Sequence, residues 1–148
     1  MMSKTDEMTG TFVLVNPDLA HDPAGRQNQV GLVTEADLDS DDIYVSFGKN
    51  GQSRYSSDAL LVLKSNISVY NEMMDNRMKL SSGDFKTLFR VNLLQQTDRP
   101  APNREALLIL KDHPNLQQFA LIPLNDKLGI NHVATVHLNQ LRPPARAR

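Results

Sequence analysis

The sequence predicts an α+β protein, with a small, strongly bent antiparallel β-barrel over residues 9–64 and a helical region over residues 66–141. Three observations carry that expectation. Ile43-Tyr44-Val45-Ser46-Phe47 alternates apolar with more polar side chains, the pattern of a strand with one face in a core. Gly48-Lys49-Asn50-Gly51 follows it, and Asn-Gly tolerates the positive φ angles of a tight hairpin. From Ile67 onward the apolar period lengthens from two residues to three or four, as a helix requires.

The elements follow in order. Residues 1–8 and 142–148 read as tails, the second beginning with Pro143-Pro144 close at hand. Thr11 to Val15 is rich in β-branched residues and suits a first strand. Asn16-Pro17-Asp18 breaks it and opens a loop to about Gln29. Val30-Gly31-Leu32-Val33-Thr34 is the second strand, where glycine marks a bulge or a close backbone approach. Glu35 to Asp42 is an acidic loop before the Ile43–Phe47 strand. After the hairpin the chain returns through Ser53–Ser56, makes one turn and ends in Leu60-Leu61-Val62-Leu63.

In the second half, Ile67, Tyr70, Met74 and Met78 form a stripe on a helix running to about Leu80. Asp84 caps or begins a helix through Gln96, with Phe85, Leu88, Phe89 and Leu93 on one face expected to be buried. Thr97 to Pro102, with two prolines, reads as a linker, and Asn103 as the cap of a helix to Lys111. Pro114 suits the first turn of a helix expected to include Leu116–Ile122, which Pro123 ends. Leu124 to Ile130 fits a further helical turn, and His132 to Leu141 fits either strand or helix.

The long first loop Asn16–Gln29, the Gln29–Val33 strand and the Tyr55–Leu63 ending together resemble the Src-homology-3-like (SH3-like) small barrels, a group that includes KOW and Tudor-type domains. Joined to a helical half, the barrel is also similar to bacterial proteins of comparable length. The resemblance covers residues 11–63 and implies a fold without a shared chemistry.

Composition narrows the function classes. The chain has no cysteine, which removes disulfides and thiolate chemistry. No apolar run approaches the roughly 20 residues that span a bilayer, so no membrane partner is expected. The polar start MMSKTDEMTG lacks a secretion leader, and a cytoplasmic location is expected. Residues 1–64 carry ten Asp or Glu against five Lys or Arg, a net −5. Residues 65–148 carry seven against eleven, a net +4.

Motifs for catalysis are sparse. Asp37-Leu38-Asp39-Ser40-Asp41-Asp42 begins like a calcium loop, but Asp42 stands where such a loop needs glycine and Gly48 where it needs glutamate. His21, His113, His132 and His137 have no shared spacing that would hold a metal. Neither a Gly-x-Ser-x-Gly elbow nor a glycine-rich phosphate loop occurs. No metal or cofactor is therefore expected, and an enzyme ranks third.

A non-catalytic protein-interaction or scaffold module ranks first. Its candidate binding residues are Tyr44 and Tyr55 on an outer face, with Arg54, Asp41 and Asp42 beside them. The partner is an unknown protein, and any apolar face left over favours a homodimer. A nucleic-acid-associated factor using the basic C-terminal half ranks second.

Overall fold

A computed structural model describes residues 8–20, 22, 25–97 and 99–129. Six strands form one antiparallel sheet: β1 (Phe12–Val15), β2 (Val30–Asp37), β3 (Asp42–Ser46), β4 (Gln52–Tyr55), β5 (Leu60–Leu63) and β6 (Leu121–Pro123). Their order is β4-β3-β2-β1-β5-β6. Five helices follow β5 or flank β6: α1 (Asn66–Asp75), α2 (Ser82–Gln95), α3 (Pro100–Lys111), α4 (Pro114–Ala120) and α5 (Leu124–Leu128).

The sheet is rolled, and the chain geometry requires it. Tyr55 ends β4 and Leu60 starts β5, with a 3-10 turn at Ser57–Ala59 between them. Five residues span at most about 17 Å, whereas four strand spacings in a flat sheet cover about 19 Å. The pairing is nonetheless open, with β4 and β6 as its two edges. A hydrogen-bonded ring is therefore not formed where a closed barrel was expected. The concave side is filled instead by side chains from β1 to β5 together with Met8 and Leu124, which packs in from α5.

β1 explains why its sequence is a continuous apolar run. Val13 and Val15 point into the concave core, while Leu14 points the other way into a second core under the helices. β5 divides its side chains likewise: Leu60 and Val62 face inward, Leu61 and Leu63 face the helices. Val69, Met73, Leu88, Val91, Leu107, Leu110 and Leu116 complete the second core.

Several local expectations change in the folded chain. The register shift of β2 lies between Val33 and Glu35, while Gly31 marks the other expected feature, a close backbone approach, with the Ser46 carbonyl 3.0 Å from where a Cβ would stand. The shift resets the alternation, so that Val33 and Ala36, three apart, both face inward. Pro100 opens α3 and Pro102 lies in its first turn, so the expected linker is partly helix; a proline there forfeits no intrahelical bond. The helix expected through Ile122 stops at Ala120, because the free edge of β5 captures the next three residues: Leu63 pairs Leu121, Val62 pairs Ile122 and Leu61 pairs Pro123. Met8, read as tail, is buried. His132–Leu141 and the tail from residue 142 lie outside the described residues. Among the described residues no helix is long and apolar enough to cross a membrane.

Candidate functional site

The five residues singled out on the first half do not form one surface. Strand alternation sends Tyr44 and Arg54 to the convex face, where they sit opposite each other across β3 and β4. Arg54 Nε lies 3.6 Å from Asp42 Oδ1, with the two side chains 63% and 33% exposed. Ion pairs this open contribute little. Tyr55, one residue beyond Arg54, points inward and is only 7% exposed. Asp41 turns under the sheet: its Oδ1 accepts the Ser57 N–H at 3.0 Å, from a backbone φ of +58°. A shared outer face for both tyrosines is therefore not what the fold builds.

Tyr55 is the anchor of the first loop. Its ring meets that of Phe47 edge-on, 6.4 Å between centroids. Its hydroxyl donates to Asp22 Oδ2 at 2.8 Å, and the same carboxylate oxygen accepts the Arg26 N–H at 3.0 Å. Arg26 in turn lies over the Phe47 ring at 5.1 Å and donates to the Asn50 carbonyl. Burial first, then the hydrogen bond and charge of Asp22, push the Tyr55 hydroxyl well above the ordinary phenol range. This cluster closes a loop over the end of the rolled sheet: the Tyr55 hydroxyl and the Arg26 N–H are spent on Asp22 and an Arg26 terminal nitrogen on the Asn50 carbonyl, while Arg26 Nε is buried without a hydrogen-bond partner.

The acidic loop is spent in the same way. Asp37 Oδ1 accepts the backbone N–H groups of Asp39 and Ser40, and Asp42 Oδ2 accepts the Ser40 hydroxyl. Among the described residues no three His, Asp or Glu side chains converge to hold a metal ion. His113 Nδ1 lies 2.8 Å from the Ile109 carbonyl at the end of α3, so that nitrogen carries the proton. His21, His132 and His137 lie outside the described residues.

Phe89 and Leu93, which the sequence reading placed inside, belong instead to a surface on α1 and α2. Their buried sides are Val69 and Met73 on α1, and Leu88, Val91, Asn92 and Gln95 on α2. That leaves Ile67 64%, Tyr70 45%, Phe89 48% and Leu93 47% exposed, with Met78 at 89% in the connection between the helices. The two helices run antiparallel, because Asn92 near the end of α2 donates to both Asn66 O (2.9 Å) and Asn66 Oδ1 (2.8 Å) at the start of α1. Residues three and four apart share a helix face, so Ile67 and Tyr70 flank one side of this seam and Phe89 and Leu93 the other. A shallow, open depression of about 540 Å³ lies along it, lined by Ser65, Asn66, Ile67, Tyr70, Asn92 and Gln96.

A sequence signal for this surface existed. α1 carries two apolar stripes, Val69–Met73 and Ile67–Tyr70–Met74, and a helix lying on one core needs only one of them. The surplus stripe marks a second contact. Comparison with protein-family models, with curated proteins and with solved structures finds no match to this chain.

Proposed function

We propose that this chain is a non-catalytic protein-interaction module in which an SH3-like rolled sheet is the scaffold and the α1–α2 seam is the contact surface. The strand order β4-β3-β2-β1-β5, with one 3-10 turn between β4 and β5, supports the SH3-like reading. The observation that carries the functional reading is the exposure of Ile67, Tyr70, Phe89 and Leu93 on adjoining helices. Contiguous apolar surface of this kind marks contact sites on soluble proteins, and aromatic anchors contribute most to such contacts. Tyr44 and Arg54 form a subsidiary polar surface on the convex face of the sheet.

The second reading, nucleic-acid association, draws no comparable support. Among the described residues, two exposed cations lie beside acids: Arg90 is 3.7 Å from Glu105, and Arg54 faces Asp42. Phosphate tracking needs cations clustered on one face.

Carbene footprinting tests the proposal. The chain labelled at low concentration when pure should react at Ile67, Tyr70, Phe89 and Leu93, and those positions should be protected at its working concentration in cell extract. Equal labelling of α1 and α2 in both states would overturn it.

A further inference from the structure

Resting on that reading of the α1–α2 seam, we infer that its occupant is a second copy of this chain, docked about a two-fold axis running along the seam. Such an axis lays α1 of one copy antiparallel over α2 of the other. The hydrogen bonds between Asn66 and Asn92 set the relative heights of the helices. Counting from that tie, Tyr70 meets Phe89 of the second copy and Ile67 meets Leu93, each pair formed twice, as an isologous contact requires.

Area and charge both fit this occupant. Five large side chains exposed by 45% to 89% present on the order of 500 Å² of apolar surface, taking about 200 Å² for each. Single monomers carry patches of about that size, so area alone does not decide. An interface core that is about 65% apolar would extend this to roughly 800 Å² per copy, the size of a standard stable contact. The charges at the edge choose the partner. Exposed Asp75 follows Met74 on α1, and exposed Lys86 follows Phe85 on α2. The same axis brings Asp75 of each copy towards Lys86 of the other, so the surface complements itself in charge.

Sedimentation equilibrium on the full chain, up to about 100 µM, tests the inference. The wild type should be a dimer. Phe89→Asp should weaken it about 30-fold, as loss of an interface anchor does. Asp75→Lys and Lys86→Asp should each weaken the dimer, and the two together should restore it. A monomeric wild type, or a double swap no better than either single, would overturn the inference. Urea midpoints establish that each variant folds, and all three positions are exposed enough to accept the change. A photo-crosslinking residue at position 93, irradiated in cells, then separates the two levels. Crosslinking to a second copy is the expected result. Crosslinking to a different protein overturns self-association and leaves the interaction reading standing, whereas no protein crosslink overturns both.

Discussion

The Tyr55 hydroxyl donates a 2.8 Å hydrogen bond to Asp22, joining the end of β4 to a loop 33 residues earlier in the chain. A hydrogen bond to a charged acceptor contributes about 1.5–3 kcal/mol net. Tyr55→Phe should therefore lower stability by about that amount at neutral pH in urea titrations.

The same bond sets a pH dependence with a definite sign. Folding raises the proton affinity of the Tyr55 hydroxyl, through burial first and Asp22 second. Its contribution is complete below the unfolded phenol value of about 10 and is lost as pH rises from there towards the higher folded value. The stability gap between wild type and Tyr55→Phe should hold from pH 7 to about 9 and shrink above about 10. A gap that stays constant to pH 11 would remove Asp22 and burial as its cause.

Gly31 is needed for space, not for backbone freedom. A Cβ there would lie 2.9 Å from Phe47 Cε1 and 3.0 Å from the Ser46 carbonyl, and closer still to Val45 Cγ1. Gly31→Ala should cost about 1–3 kcal/mol by overpacking the concave core. Gly83→Ala is the control. Its Cβ would meet only Ser81 Oγ at 4.0 Å, in the first turn of α2, and the substitution should be neutral or stabilising by up to about 1 kcal/mol. Thermal melts of the two variants check both signs.

Asp41 serves the fold through its side-chain oxygen and its left-handed backbone together. Asp41→Asn keeps an acceptor and tolerates φ +58°, so it should stay within about 0.5 kcal/mol of wild type. Asp41→Ala loses the bond to Ser57 and strains the turn, and should cost about 1.5–2.5 kcal/mol. Equal losses in the two variants would refute an acceptor role.

Arg54→Ala should shift stability by no more than about 0.5 kcal/mol, because its ion pair with Asp42 is largely exposed. Melts at low and high salt should agree to within that margin.

What could be read from the chain and what could not differ by range. The alternation Ile43–Phe47 placed Ile43 and Val45 in the core, and both are fully buried. Helices were legible through their period but not through their caps: Ser81, not Asp84, caps α2 by accepting the Asp84 N–H, and Asn103 lies inside α3 rather than capping it. The inward turn of Tyr55 was not legible, since a four-residue strand with two polar neighbours carries no sign of which face is covered. Phe89 and Leu93 were expected inside for a related reason. Apolarity marks a residue for burial without saying against what, and Val69, Met73, Leu88 and Val91 took the side facing the second core.

By itself, the sequence determined the strands and turns of the first half, the change of period at Ile67 and the absence of thiol chemistry, because these depend on neighbours within a few positions. Only the tertiary structure decided that the sheet rolls without closing, that β5 captures Leu121–Pro123, and that one apolar helix face remains outward. Those outcomes depend on which edges and faces meet across the molecule, and pairing partners far apart in the chain leave no periodic mark in either segment.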